Sequence, residues 1–194
     1  ISISAAVRQF IKKFDQRTSP VIYRGLNFDE LDQSLENVSL RQEHPEKIII
    51  ATAARLYKWK GIENTIEAIR SLPEDTQSKI IFFIIGDGED FDRLQKLSSG
   101  LPIQMLGKLK RTDVIGILKA SDIYIHSSLP GGGLSTSLLE AMYCQCAIIA
   151  TPDEGADEII KNTHNGLLIE KSSPKLLYEA LSQLIENQTT INRL

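Results

Sequence analysis

Two runs of apolar, mostly β-branched residues constrain this chain more than any other feature. Residues 47–53 read KIIIATA and residues 80–85 read IIFFII. Neither run alternates apolar with polar residues, so neither can turn one face to water. Runs of this kind form strands of a parallel sheet buried on both faces. Parallel neighbours need a crossover, and the chain supplies a helical pattern between the two runs. From Gly61 to Leu72, the residues Ile62, Ile66 and Ile69 recur at helical spacing, and Pro73 ends the pattern. The alternation continues with a helix over Asp90–Leu97, a strand over Pro102–Leu106 and a helix from Thr112 or Asp113 to Lys119. Further strands are expected at Asp122–His126, Ala147–Ala150 and Gly166–Ile169. A helix is expected over Leu134–Tyr143, and another over Ser173–Ile185 with Pro174 in its first turn. The order predicts an α/β fold: a doubly wound, Rossmann-like parallel sheet of about six strands, with helices on both faces and right-handed crossovers.

The chain has 194 residues, somewhat more than one domain at roughly 150 residues each. Its first 45 residues lack the strand–helix rhythm. They offer an amphipathic helix over Ala5–Phe14, with Ala6, Phe10 and Phe14 on one stripe, and a short strand at Val21–Tyr23. Phe28–Val38 reads as helical or irregular, and Gln42–Glu46 as a polar connector. Residues 1–45 are therefore expected to form an interdomain arm packed on a domain of residues 46–194. Because the first residue is Ile1, the chain is expected to be a piece of something longer. With 22 basic and 25 acidic residues the net charge is −3, which argues against a nucleic-acid partner held by bulk charge. No apolar run approaches the roughly 20 residues that span a bilayer, and no secretory signal is visible. Cys144 and Cys146 are one residue apart in an apolar stretch, without a nearby third cysteine or histidine. They read as buried thiols of a cytoplasmic protein without a structural metal.

Parallel sheets of this type bind ligands at the carboxyl ends of their strands. After the first strand come Arg55 and Lys60, then Gly61, where the chain turns into the next helix. A guanidinium fork and an ammonium point charge make a clamp for a diphosphate. After the second strand, Gly86-Asp87-Gly88 permits a tight turn and close approach of backbone to a ligand. After the fourth strand, Gly131, Gly132 and Gly133 run into Leu134, Ser135 and Thr136 at a helix start, which is a ready phosphate site. No Gly-Lys-Ser/Thr follows, so it is not a Walker loop. Glu140 lies in the next helix between apolar neighbours, and a carboxylate so placed is expected to accept hydrogen bonds from a ligand's hydroxyls. His126, at the end of the fourth strand, is expected to be structural, and Asp87 and Asp122 to be turn and cap residues.

These segments fall in one order: Ala54-Arg55-Leu56 through Lys60-Gly61, Ile85-Gly86-Asp87-Gly88, Leu106-Gly107, Ser121-Asp122, and Gly133-Leu134-Ser135 through Glu140-Ala141-Met142. In that order the chain resembles the carboxyl-terminal, donor-binding half of a retaining glycosyltransferase of the GT-B fold, of the "glycosyl transferases group 1" type. The likeness covers roughly residues 46 to 188. Residues 21–26 (VIYRGL) are similar to the family's interdomain segment, with Arg24 where asparagine is usual. The resemblance implies that Arg55 and Lys60 hold the donor diphosphate and that Gly107, Lys108 and Leu109 meet the base. It implies that Gly132, Gly133, Leu134, Ser135 and Thr136 meet the sugar and diphosphate, and that Glu140 accepts the ribose hydroxyls. Glu140 matches the second glutamate of the family's Glu-x7-Glu motif, whereas Gly132 stands where the first is usual.

The resemblance further implies a nucleoside-diphosphate sugar as co-substrate, UDP more than GDP, with no metal and no other cofactor. The partners it implies are an amino-terminal acceptor domain outside this chain and an acceptor glycan or lipid-linked glycan, in bacterial polysaccharide or lipopolysaccharide synthesis. Localisation would be cytoplasmic, with any contact with the inner membrane face made by that other domain. The present chain is expected to bind donor without transferring it. Two other readings of the same residues stay open: a non-catalytic doubly wound nucleotide- or partner-binding module, and a nucleotide-sugar epimerase.

Overall fold

A computed structural model of the chain describes residues 5–12, 20–22, 25–34, 38–129, 134–153, 155–170 and 172–193. The expected sheet is present, and every strand pair in it is parallel. Its strands are β1 (Ile48–Ala53), β2 (Ile80–Ile85), β3 (Ile103–Gly107), β4 (Ile123–His126), β5 (Ala147–Ala150) and β6 (Leu167–Leu168). Their spatial order is β3-β2-β1-β4-β5-β6, so the winding reverses between β1 and β4.

Among the described residues, three helices precede the sheet: α1 (Ala5–Lys12), α2 (Phe28–Gln33) and α3 (Val38–Glu43). A single 3-10 turn, Lys58–Lys60, follows β1 and leads into α4 (Ile62–Arg70), with the short α5 (Glu74–Gln77) before β2. The remaining crossovers are α6 (Phe91–Leu97), α7 (Arg111–Lys119), α8 (Thr136–Tyr143) and α9 (Ala156–Ile159). The helices α10 (Pro174–Ile185) and α11 (Gln188–Arg193) close the chain.

The unbroken apolar runs are explained by which way each side chain points. Ile50, Phe82, Ile84, Ile123 and Ile149 join one core with Ile66 and Ile69 of α4 and Leu177, Leu181 and Leu184 of α10. Their neighbours Ile49, Ala51, Phe83, Ile85, Tyr124 and Ile148 join a second core with Ile115 and Leu118 of α7 and Leu138 of α8. Successive residues of a strand face opposite sides, so a strand covered on both faces is apolar at nearly every position.

Several elements depart from the expected boundaries. Phe28–Val38 does not form one segment: α2 and α3 are separate, and α3 takes up the start of the expected polar connector. Both fold onto the second core, where Leu31 is fully buried and Leu40 nearly so. Helices of six residues are marginal alone, so their positions are decided by what they pack against rather than by propensity. Lys119 Nζ donates to the carbonyls of Leu31 and Ser34, and Arg41 pairs with Asp122 at 3.1 Å. The backbone N–H of Ala5 donates to Glu158 Oε2 at 3.0 Å, which seats the start of α1 beside α9. Phe14 and Tyr23, expected in the first helix and strand, lie outside the described residues. The helix after β4 starts at Thr136 rather than Leu134, and α5, α9 and α11 were not expected.

At the start of α6 the carboxylate of Asp90, 4% exposed, is held bidentately by Arg93, with Nε–Oδ1 at 2.6 Å and Nη2–Oδ2 at 2.7 Å. Arg93 also reaches Glu63 of α4 at 2.7 Å, so the pair joins two helices of one layer. The bound guanidinium holds the Asp90 carboxyl below the usual carboxylate range, against the opposing effect of burial. A lowered folded-state pKa contributes stability above the unfolded-state value of about 4, and that contribution disappears as pH falls through the folded value. Asp90→Asn is therefore expected to cost roughly 1–3 kcal/mol at pH 7. In urea unfolding the gap to the unaltered chain should narrow steadily below about pH 4; a gap independent of pH would contradict this account.

Candidate functional site

The reversal of winding between β1 and β4 opens a crevice at the carboxyl edge of the sheet, where a doubly wound fold binds its ligand. The cleft there is about 470 Å³. Its walls are Ala54, Arg55, Trp59 and Lys60 from the loop after β1, Leu109, Arg111 and Val114 from the start of α7, and Ser135, Thr136, Ser137 and Glu140 from α8. Arg55, Lys60, Leu109, Ser135, Thr136 and Glu140 are thus brought together from segments up to 85 residues apart in sequence.

The loop carrying the two cations is braced on both sides. Leu56 N–H donates to the Asp87 carbonyl at 2.9 Å, and Asp90 N–H donates to the Leu56 carbonyl at 3.1 Å. On the other side Ser127 Oγ donates to the Lys60 carbonyl at 3.0 Å, and Leu129 N–H to the Trp59 carbonyl at 2.6 Å. Gly61 makes the second contact possible. Its φ is +64°, and a Cβ there would lie 2.1 Å from the Ser127 carbonyl oxygen. Gly86 serves a similar end, since with φ at +136° its missing Cβ would meet the Ala54 carbonyl oxygen at 1.8 Å. It does not line the cleft; its place is backbone packing between the loops after β1 and β2.

The lysine ammonium lies over the Trp59 ring, 4.2 Å from its centroid, and the Arg55 guanidinium is 5.8 Å from the centroid of Tyr57. Both contacts favour a cation held against an aromatic face. On the opposite wall Ser135 precedes α8 without a side-chain cap bond; its hydroxyl lies 3.1 Å from that of Ser137. Beneath them the fully buried Tyr124 brings its hydroxyl to 2.9 Å from Ser137 Oγ and 3.2 Å from the Ala53 carbonyl. Burial pushes the Tyr124 phenol up to about 12, so this bridge between β1, β4 and α8 is neutral at ordinary pH. Glu140 is 6% exposed, and its Oε1 accepts from Arg111 Nε at 2.9 Å.

The remaining site residues named from the sequence occupy other places. Gly107 (φ +67°) ends β3, where its carbonyl accepts from Gly86 N–H at 2.8 Å; Lys108 follows it and is exposed. Leu134 is buried just before α8. Gly132 and Gly133 lie outside the described residues. Asp122 sits at the amino edge of β4, where Oδ2 accepts from Ile49 N–H at 2.7 Å, and Asp87 Oδ1 accepts from Gly88 N–H at 2.8 Å. Arg111, Trp59, Val114 and Ser137, which line the cleft, and Tyr124 beneath it were not named as site residues from the sequence.

A larger cavity of about 610 Å³ lies at the opposite, amino edge, between Arg41, Lys119, Asp122, Cys144 and Cys146. Its cations are engaged with Asp122 and backbone carbonyls. Its two thiols are unbridged, and burial pushes both up, Cys144 to about 11. Protonated thiols and committed cations make this cavity part of the scaffold.

The six-stranded parallel sheet with helices on both faces is the Rossmann-like architecture of one half of a GT-B glycosyltransferase. The family model "Glycosyl transferases group 1" matches residues 36–194, and the chain belongs to that family. An uncharacterized glycosyltransferase of Methanocaldococcus jannaschii is 44% identical over 192 residues, which is 96% of this chain and 49% of that protein. A Campylobacter jejuni transferase, named for adding N-acetylgalactosamine to a diphospho-undecaprenol-linked sugar, is 30% identical across 74% of this chain and 37% of its own length. The chain thus spans about half or less of these relatives. Among solved structures, Anabaena HepE in complex with UDP and glucose superposes with a TM-score of 0.84 at 21% identity, over 99% of this chain and 54% of that one. The isolated carboxyl-terminal domain of Francisella tularensis LpcC superposes with a TM-score of 0.73 at 24% identity, covering 87% of this chain and 92% of that one. At these identities the two structures speak for the fold alone.

Gly61→Ala tests how the cleft is held. The added methyl cannot avoid the Ser127 carbonyl without moving backbone, and φ +64° is unfavourable for alanine. The expected cost is more than about 1 kcal/mol of stability. Gly100→Ala is a useful control, since that glycine has φ +78° but open space around its Cα. A loss no greater at Gly61 than at Gly100 would show that the junction is not tight.

Proposed function

We propose that this chain is the donor-binding part of a retaining glycosyltransferase that takes a hexose from a nucleoside-diphosphate sugar, with UDP as the favoured nucleotide. The observation that carries this is the pairing across one cleft of two cations, Arg55 and Lys60, with the buried carboxylate Glu140. A diphosphate needs fixed positive charge and a ribose needs a hydroxyl acceptor; the cleft has both on opposing walls. In transfer the glycosidic C–O bond breaks and negative charge grows on the departing diphosphate. Arg55 and Lys60 would stabilise that charge, while positive charge spreads over the sugar ring as an oxocarbenium-like cation. The serine hydroxyls at the start of α8 are positioned to contact the phosphates or sugar between them.

In this reading the two side chains take the part a divalent metal would play, so binding should survive chelation by EDTA. The acceptor would be a glycan or lipid-linked glycan, brought by a second domain. Support comes from the Campylobacter relative's name and from a Rhizobium meliloti relative, 25% identical, named for lipopolysaccharide core biosynthesis. The setting would be bacterial polysaccharide or lipopolysaccharide synthesis, which the names of those two relatives favour. No helix among the described residues is long and apolar enough to cross a membrane.

Titration calorimetry of this chain should show binding of UDP, with GDP weaker. Arg55→Ala and Lys60→Ala should each weaken it by about tenfold or more, the size of one lost charge-assisted hydrogen bond. Binding of neither nucleotide nor any of their sugars would overturn the reading.

A further inference from the structure

Arg111, which pairs with Glu140, belongs to none of the motifs that identify this cleft. Glu140 carries a side chain only 8% exposed, and a carboxylate so deeply placed loses most of its hydration. Arg111, the first residue of α7, supplies the countercharge from 29 positions away in sequence. Its side chain is 39% exposed and lines the same cleft. The contact runs from Nε to Oε1 at 2.9 Å. A carboxylate offers about four lone-pair positions, so accepting from Arg111 does not exhaust its capacity for a ligand's hydroxyl. The terminal torsion of a glutamate is otherwise broad, and this bond fixes it.

The position of Arg111 adds a second consequence. It stands two residues after Leu109, which lines the cleft, and four after Gly107, which ends β3. The ion pair therefore ties the segment leaving β3 to the wall formed by α8.

We propose that Arg111 is a positioning residue: it holds Glu140 oriented to accept ribose hydroxyls, and it sets the segment after β3 at a fixed distance from that acceptor. The inference rests on the nucleotide-site reading above. It separates Arg111 from Arg55 and Lys60, whose work is on the diphosphate. It also distinguishes Arg111 from a strut that merely joins two helices.

The experiment compares UDP, 2′,3′-dideoxy-UDP and inorganic pyrophosphate as ligands, by calorimetry, for the unaltered chain and for Arg111→Ala, Arg111→Lys, Glu140→Gln and the Arg111→Ala/Glu140→Gln double variant. Melting temperature serves as the check on folding. Arg111→Ala should lose about tenfold in UDP affinity while pyrophosphate and the dideoxy nucleotide bind as before, so the preference for ribose collapses. Arg111→Lys should recover part of that preference. In the Glu140→Gln background, removing Arg111 should add little, because the two act as one unit.

An equal loss for pyrophosphate and UDP would make Arg111 a phosphate ligand and overturn the proposal. An unchanged ribose preference with a lowered melting temperature would make it a strut and would overturn the proposal equally. If the unaltered chain binds neither UDP nor GDP, the nucleotide-site reading itself falls and this inference falls with it.

Discussion

Everything at the ligand edge depends on one close approach of backbone to backbone, where the start of α4 meets the loop leaving β4. Gly61 lets the Ser127 carbonyl come to a distance that no side chain would allow. That contact fixes the cation-bearing loop after β1 against the chain that leads to α8. The two hydrogen bonds beside it, from Ser127 Oγ and Leu129 N–H, hold the same junction. Without it, the loop bearing Arg55 and Lys60 would be tethered on one side only, through the Leu56 bonds to Asp87 and Asp90. Their charges would then be spread over many positions rather than aimed at a shared one.

The two edges of the sheet use the same residue types for opposite purposes. At the amino edge Asp122 takes an N–H from β1 and a guanidinium from α3, and the helices α2 and α3 are held by such contacts. The charges of Arg41, Lys119 and Asp122 are all committed to the fold there. At the carboxyl edge the Arg55 side chain stays exposed, and Lys60 rests on an aromatic face. This asymmetry explains why the larger of the two cavities is not the one proposed to bind ligand. Volume measures empty space, whereas binding needs charge turned toward that space.

The strands were legible because burial on both faces leaves few positions for a polar residue, so the apolar runs in KIIIATA and IIFFII read directly as central strands. Glu140 was legible for the converse reason, a carboxylate set between apolar neighbours. The helices α2 and α3 were not, since six-residue helices take their limits from contacts such as Lys119 with the Leu31 carbonyl, which sequence does not display. Arg111 was invisible because an arginine in an exposed first turn looks the same whether it meets water or a carboxylate 29 residues on. Tyr124 was hidden differently: within a buried strand an aromatic ring reads as core, and only the fold shows its hydroxyl under the cleft. The reading of Gly86 as a ligand contact came from a real signal, a glycine that lets backbones approach. In the structure the backbone that comes close to Gly86 is that of Ala54.

The lysine ammonium resting over Trp59 has a consequence outside recognition. Trp59 is the only tryptophan in the chain, and it lines the cleft. An anion that draws the Lys60 ammonium away from the ring changes the electric field at the indole directly. Every other fluorescent indole signal is absent from the background. The chain therefore carries a built-in optical gauge of cleft occupancy, placed there by the same side chain that supplies the charge.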